Sequence, residues 1–185
     1  ANVTGLGSSI INKSGKRKII IFLYKLSFKN IKNIFFQNPD DRKIFNKLRI
    51  SNLENTSLVP GSGINLNNYN YNNKKSYSNK FIYVGRLLKD KGIIELMEAI
   101  KIVSLNNKNK VKFVFVGNFD KDNPSSINKK KFIKFVKKYN IDYYPFTENI
   151  IDIYNQSDAL ILPSYREGTP RVILEAMALG VNILT

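Results

Sequence analysis

Two glutamates in the stretch PSYREGTPRVILEAMALG, residues 163–180, are the first candidates for chemistry. Glu167 lies before a helix start marked by Pro170, and Glu175 lies eight positions further on, inside the helix. A carboxylate offers two acceptor oxygens and therefore suits adjacent hydroxyl groups. The alternative is a pair of surface glutamates, in a chain with 30 Lys and Arg against 14 Asp and Glu. We expect the pair to contact a hydroxyl-rich ligand.

The start of the same helix predicts a site for an anion. Thr169 is a suitable N-cap, and Gly168 and Pro170 fit the positions around it. The first N–H groups of a helix and its dipole together attract phosphate, and the same dipole stabilises the carboxylate of Glu167. We include the next residue, Arg171, in this predicted binding segment.

Two cations follow an earlier apolar run, FIYV. Arg86 lies at the carboxyl end of the predicted strand and Lys91 just before a predicted helix, with Gly92 allowing close approach of the backbone. A guanidinium and an ammonium at such a loop suit a diphosphate whose charge grows as it leaves. The spacing alone favours two solvated cations in a Lys-rich chain.

The composition excludes several kinds of chemistry. Cys and His are both absent, which removes disulfides, thiol nucleophiles, His-dependent acid–base catalysis and metal sites built on those ligands. The net charge of +16 calls for an anionic partner: nucleic acid, an anionic leaflet or a phosphorylated ligand. A general bias towards Lys, Asn and Ile is the competing explanation for that charge.

The elements that must position these side chains alternate between apolar strands and helices, which predicts an α/β fold with parallel, doubly wound, Rossmann-like sheets. Ligands on such sheets bind beyond the carboxyl ends of the strands. Strands are predicted within 34–37, 55–60, 80–87, 111–119, 141–146, 158–164 and 181–185. Helices are predicted within 15–30, 91–105, 125–140, 149–157 and 170–180, and another carries Ile44, Phe45 and Leu48 after a turn at Pro39-Asp40-Asp41.

The Asn-rich segment 65–79 is polar and aperiodic, which is typical of a linker. We therefore predict an incomplete first domain over 1–64 and a second domain over 80–185. No signal peptide or membrane span is predicted, because the run KIIIFLYKLSF is short and interrupted by Lys25. Both ends are interpreted as truncations.

Four segments together resemble a known family. They are LVPGSGI, FIYVGRLLKDKGIIELMEAI, FVFVG and IIDIYNQSDALILPSYREGTPRVILEAMALGVNIL. They look like the retaining glycosyltransferases of family 4, which have the GT-B fold, over about residue 33 to the end. The opening VTGLGS is similar to a subgroup that builds lipid-linked oligosaccharides and capsules. The resemblance implies the end of an N-terminal acceptor-side domain and a nearly complete C-terminal nucleotide-sugar-binding domain.

The resemblance assigns roles to the four charged residues. It implies that Arg86 and Lys91 hold the donor diphosphate, that Glu167 contacts the transferred sugar, and that Glu175 contacts the ribose. On these grounds Glu167, Arg86 and Lys91 are the catalytic candidates, and Glu175 is a donor-binding candidate.

Two further segments match donor-binding regions of the family. FTEN, 146–149, falls where the family contacts the base, so that Phe146 or the backbone around Thr147 either packs on a uracil ring or belongs to the core. Gly61 and Gly63 in GSG either line the interdomain cleft or simply form a tight turn.

The implied reaction is transfer of a hexose or N-acetylhexosamine, with retention, from a nucleotide diphosphate sugar that is expected to be UDP-linked. Front-face displacement lets the departing phosphate oxygen take the acceptor proton, so no dedicated protein base and no cofactor are expected. Asp120-Lys121-Asp122 has the spacing of a metal motif but is predicted to be a plain turn, and no metal is expected. The fragment alone is expected to be inactive.

Two other functions stay open. One is a sugar-nucleotide 2-epimerase of the same fold, and the other is a basic module that binds nucleic acid or membrane. Aromatic residues fall in predicted cores rather than between basic residues, which argues against nucleic acid as a partner.

The expected acceptor is lipid-linked or a glycan, and the basic helix at 16–25 could attach to an anionic leaflet. The expected location is the cytoplasm or the inner face of the plasma membrane.

Overall fold

The computed structural model describes residues 1–6, 10, 15, 17–71, 78–106 and 111–185. The chain forms two compact units. The first unit contains Ala1–Gly63 together with Glu167–Pro170, and the second contains Ile64–Arg166 and Arg171–Thr185. In the described part of the chain, no helix is long and apolar enough to cross a membrane.

The first unit is built on a parallel sheet in the order β1-β2-β3. Its elements are β1 (Asn2–Val3), α1 (Arg17–Phe28), β2 (Ile34–Phe36), α2 (Pro39–Lys47) and β3 (Thr56–Leu58). One core joins the sheet to the helices, with Phe45 of α2 fully buried and in edge contact with Phe36, Phe28 and Tyr24. The alternation of apolar strands and helices predicted this layered arrangement.

The predicted turn at Pro39-Asp40-Asp41 is wrong, because these residues form the first turn of α2. Proline is favoured at the first helical position, where its missing N–H would have no partner inside the helix. Asn38 then caps the helix, since its side chain accepts a hydrogen bond of 2.8 Å from the Asp41 N–H.

The second unit contains a five-stranded parallel sheet in the order β6-β5-β4-β7-β8. The strands are β4 (Lys80–Val84), β5 (Lys112–Val116), β6 (Asp142–Tyr144), β7 (Ala159–Ile161) and β8 (Asn182–Leu184). The helices are α3 (Ile93–Asn106), α4 (Lys129–Lys138), α5 (Ile150–Asn155) and α6 (Arg171–Ala178).

Helices cover both faces of this sheet, which explains why its strands are apolar on both sides. Phe115 of β5 packs into a core with α3 and α4, while Val114 and Val116 face a second core with α5 and α6. The strand order reverses at β4, which lies between β5 and β7. Ligands of doubly wound sheets bind at such a switch point, beyond the carboxyl ends of the strands.

The described part of the Asn-rich segment, residues 65–71 and 78–79, belongs to the second unit. It contains a single 3-10 turn at Leu66–Asn68, which Asn65 caps by accepting a hydrogen bond from the Asn67 N–H. Tyr69 packs against the core beside α6. The predicted linker 65–79 is thus held to the second unit through Tyr69, which supplies apolar surface that the asparagines lack. Residues 72–77 lie outside the described residues.

Candidate functional site

Arg86 lies at the carboxyl end of β4, the strand at which the strand order reverses. Its Nη1 donates a hydrogen bond of 2.8 Å to Asp120 Oδ2, and Asp120 follows the neighbouring strand β5. The Tyr83 hydroxyl donates to the Arg86 carbonyl at 2.9 Å, which fixes the backbone there. The Arg86 side chain is 60% exposed, so its guanidinium is accessible to a ligand. Sequence reasoning missed Asp120 as the partner of this arginine.

Lys91 closes a 3-10 turn at Lys89–Lys91, and Gly92 follows it in the left-handed conformation with φ of +68°. A Cβ at Gly92 would collide with the carbonyl oxygen of Pro163, in the loop after β7. The predicted close approach at Gly92 is therefore an approach between two segments of the protein backbone. It brings the turn that contains Lys91 against the loop that leads to Glu167.

Further contacts hold the two loops together. The Tyr165 N–H donates to the Asp90 carbonyl at 3.2 Å, and the Tyr165 hydroxyl donates to Glu95 Oε1 at 2.6 Å. This hydroxyl hydrogen bond lowers the pKa of the Glu95 carboxyl. The loop after β7 is thus tied to the segment between β4 and α3 through Tyr165, two residues before Glu167.

Residues Glu167–Pro170 pack with the first unit, and α6 begins at Arg171, directly after Pro170. A Cβ on Gly168 would lie 3.0 Å from both Gln37 Oε1 and the Thr4 carbonyl oxygen, so a side chain there would be crowded.

The two glycines of GSG both have positive φ, +99° at Gly61 and +68° at Gly63, as a tight turn requires. A Cβ on Gly61 would lie 2.5 Å from Thr169 Cβ. These facts support the turn interpretation, and the ligand-lining role stays a prediction.

Glu175 is the fifth residue of α6, and its side chain is only 12% exposed. Its Oε1 accepts two hydrogen bonds, 3.0 Å from the Tyr69 hydroxyl and 2.9 Å from Arg171 Nε. The Arg171 guanidinium has a raised pKa because it interacts with the Tyr69 hydroxyl and, next, with Glu175. The Glu175 carboxylate is therefore held by two donors, and the sequence did not indicate one of them, Tyr69.

Tyr154 of α5 borders this group. Burial, followed by the proximity of Glu175 and Tyr69, raises the pKa of Tyr154. Its hydroxyl donates to the Val172 carbonyl at 3.3 Å, which ties α5 to the first turn of α6. The Glu175 carboxylate thus lies close to Tyr154, a core residue of the second unit.

Phe146 follows the edge strand β6 and is 73% exposed. The alternative that placed it in the core is therefore wrong, while its predicted contact with a base stays a prediction. Thr147 Oγ1 accepts a hydrogen bond of 3.0 Å from the Asn149 N–H, just before α5.

The Asp120-Lys121-Asp122 segment forms a turn after β5, and Asp120 is engaged by Arg86 and, at 3.5 Å, by the Asn123 side chain. Within the ranges that the structure describes, no three acidic, His or Cys side chains come together where they could hold a metal ion.

Two α/β units, each with a parallel sheet, are the architecture of the GT-B fold. WaaG, described as a glycosyltransferase involved in lipopolysaccharide biosynthesis, superposes on 98% of this chain and 54% of its own with a TM-score of 0.75 at 15% identity. HepE of Anabaena, solved in complex with UDP-glucose, gives 0.71 at 14% identity over 98% of this chain and 51% of its own. At such low sequence identities, the structural similarity to these two proteins establishes the fold alone.

The sequence profile of the family described as Glycosyl transferases group 1 matches residues 67–185, and the chain belongs to that family. Among its relatives is the N,N'-diacetylbacillosaminyl-diphospho-undecaprenol alpha-1,3-N-acetylgalactosaminyltransferase of Campylobacter jejuni, 30% identical over all of this chain and 51% of its own length. Another is the capsular polysaccharide biosynthesis glycosyltransferase CapM of Staphylococcus aureus, 34% identical over 56% of this chain and 26% of its own. The chain thus spans about half the length of the first relative.

Proposed function

We propose that this chain supplies the donor site of a retaining glycosyltransferase that moves a hexose or N-acetylhexosamine from a UDP-linked sugar to a lipid-linked or polysaccharide acceptor. The observation that carries the proposal is the arrangement after β4 and β7. There the second unit gathers Arg86, the turn that contains Lys91, and the start of α6 with Glu175. Parallel strands end at one edge of a sheet, and the proposal therefore assigns these groups to one ligand region.

In this proposal the cations stabilise the leaving diphosphate. Arg86 can bind phosphate oxygens with its exposed guanidinium fork, and Lys91 adds a second positive charge. As the bond between the anomeric carbon and the phosphate oxygen breaks, negative charge grows on the diphosphate. The departing oxygen accepts the proton of the acceptor hydroxyl while that hydroxyl attacks from the same face. The protein supplies positioning and charge, and the proposal requires neither a metal nor a cofactor.

The remaining candidates bind the neutral parts of the donor. Glu167 would hold hydroxyls of the transferred sugar and Glu175 those of the ribose. The N–H groups of Gly168, Thr169 and Arg171, on either side of Pro170, would complete the phosphate site at the helix start. The exposed ring of Phe146 would pack on the base.

The names of similar proteins support the donor and acceptor classes. The Campylobacter relative is named for transfer of N-acetylgalactosamine onto a diphospho-undecaprenol glycan, and CapM for capsular polysaccharide biosynthesis. HepE was solved with UDP-glucose, and TarM of S. aureus with UDP. These names favour UDP over other nucleotides and favour a lipid-linked or polymeric acceptor.

A thermal-shift screen of the full-length protein against UDP-, GDP- and ADP-sugars tests the donor class. A UDP-sugar at about 100 times its Kd should stabilise the folded protein by about 2.7 kcal/mol, since only the folded state binds it. A GDP- or ADP-sugar that shifts Tm while UDP-sugars do not would reject the UDP assignment. Conversion of UDP-N-acetylglucosamine without an acceptor would favour the 2-epimerase. Salt-sensitive retention on nucleic acid without a response to any nucleotide would favour the basic binding module.

Replacement of Glu167 by alanine tests the sugar contact. We expect transfer by the full-length protein to fall by about 10²-fold or more, since a charged hydrogen-bonding partner of the sugar is lost in the transition state. Glu54→Ala, which removes an exposed carboxylate from the loop before β3, is the matched control. Activity of Glu167→Ala within a few-fold of Glu54→Ala would reject the role of Glu167.

We also propose that α1 attaches the protein to the inner face of the plasma membrane, with the rest of the chain in the cytoplasm. Four large apolar side chains of α1 are 53–63% exposed and recur at helical spacing: Ile19, Phe22, Leu23 and Leu26. Lys18, Lys25 and Lys29 flank this stripe on one side, and α1 carries no acidic residue. An apolar stripe with a cationic flank suits an anionic lipid surface.

Sedimentation with vesicles tests this attachment. The full-length protein should bind vesicles that contain anionic lipid, and Lys18→Gln/Lys25→Gln should weaken binding by roughly tenfold or more, at about 1 kcal/mol for each charge near the surface. Lys130→Gln/Lys134→Gln in α4 removes the same charge from the other basic helix and should have little effect. Equal losses in the two variants would indicate a response to net charge alone. No binding by the unmodified protein would reject the proposed attachment.

A further inference from the structure

Tyr69 reaches from the segment before β4 to the carboxylate on α6, a separation of 106 positions in the sequence. Its ring packs against the core of the second unit, and its hydroxyl donates to Glu175 Oε1 at 3.0 Å. The hydroxyl also contacts Arg171, the second donor to the same oxygen. Nothing in the sequence pattern marked this tyrosine, which lies among asparagines.

The two donors determine what Glu175 can offer to a ligand. A carboxylate oxygen has two lone pairs, and Oε1 already accepts from both Tyr69 and Arg171. In this state the carboxylate presents Oε2 to a hydroxyl group rather than both oxygens. Contact with two adjacent hydroxyls would then use the two lone pairs of Oε2.

Tyr69 is the more rigid of the two donors. The Arg171 side chain is 72% exposed, and ion pairs at such positions contribute little because solvent screens them. Tyr69 has two side-chain torsions, and its ring is packed beside α6. The tyrosine hydroxyl therefore sets the orientation of the carboxylate.

We propose that Tyr69 is a positioning residue that aims Glu175 at a hydroxyl of the donor ribose, so that it sets the preference of the site for a ribonucleotide. This inference rests on the proposed role of Glu175 and extends it to a residue outside the candidate binding segments. Tyr69→Phe keeps the ring and its packing and removes only the hydroxyl, which separates positioning from a structural role.

Calorimetric titration of the full-length protein with UDP and with 2′,3′-dideoxy-UDP tests the proposal. The unmodified protein should bind UDP about 10- to 100-fold more tightly than 2′,3′-dideoxy-UDP, because hydrogen bonds to a charged group contribute about that much to affinity. In Tyr69→Phe this ratio should fall about fivefold or more, while the affinity for dideoxy-UDP changes by less than about twofold. Tyr71→Phe removes a hydroxyl from the neighbouring exposed tyrosine and should keep the full ratio.

Glu175→Gln distinguishes the failure of this inference from that of the proposed function. If Glu175→Gln abolishes the preference for UDP and Tyr69→Phe leaves it unchanged, Tyr69 does not position the carboxylate, and the ribose contact still stands. Equal weakening of both nucleotides in Tyr69→Phe would identify a structural role and overturn the inference. If Glu175→Gln also keeps the preference, both the ribose contact and the role of Tyr69 are rejected.

Discussion

Replacing Arg86 with alanine should lower kcat/KM of the full-length protein by about 10²- to 10³-fold, the usual effect of removing one group that stabilises developing negative charge. Arg86 follows the central strand of the second sheet, and its exposed guanidinium is held at one corner by Asp120. The loss should fall mainly on kcat, because the charge on the diphosphate is greatest as it leaves. Steady-state transfer with a saturating acceptor measures this effect.

Two companion variants separate this role from general electrostatics. Lys121→Ala removes a positive charge from the adjacent loop and should change kcat/KM by less than a few-fold. Asp120→Asn should also have a small effect, within about fivefold, because an exposed ion pair is worth at most about 1 kcal/mol. If Arg86→Ala is no more damaging than Lys121→Ala, Arg86 is a solvated cation and does not touch the diphosphate.

The fold could be predicted because each element carries its own local signal. FVFV in β5 is a continuous apolar run, and the structure packs it between two cores, as parallel strands require. The helices are equally local, since their apolar positions recur with the helical period. The error at Pro39 was also local, because proline is common both in turns and at the first position of a helix.

The partners of the candidate residues could not be predicted because they come from distant parts of the chain. Asp120 lies 34 positions from Arg86, and Tyr69 lies 106 from Glu175. Motif spacing identifies the groups that can touch a ligand. It gives no information on which side chains hold them, since that depends on the packing of neighbouring loops.

Gly92 shows how a single backbone position connects these loops. Gly92→Ala should lower the free energy of unfolding of the second unit by about 2–4 kcal/mol, since it combines a left-handed backbone with a collision. The left-handed conformation alone costs a residue with a Cβ about 1–2 kcal/mol. The rest arises because the new Cβ meets the Pro163 carbonyl, which is backbone and cannot rotate away. Urea denaturation of the variant measures the change.

Gly180→Ala is the matched control for Gly92→Ala. Gly180 has nearly the same φ, +69° against +68°, and belongs to the same unit, but its added Cβ would meet the exposed ring of Tyr71. That side chain can turn aside, so Gly180→Ala should cost only the backbone contribution of about 1–2 kcal/mol. Equal losses in the two variants would show that the turn at Lys89–Lys91 can separate from the loop after β7 at no cost. A larger loss at Gly92, accompanied by weaker UDP binding, would show that the close approach of the two backbones holds the diphosphate site in place.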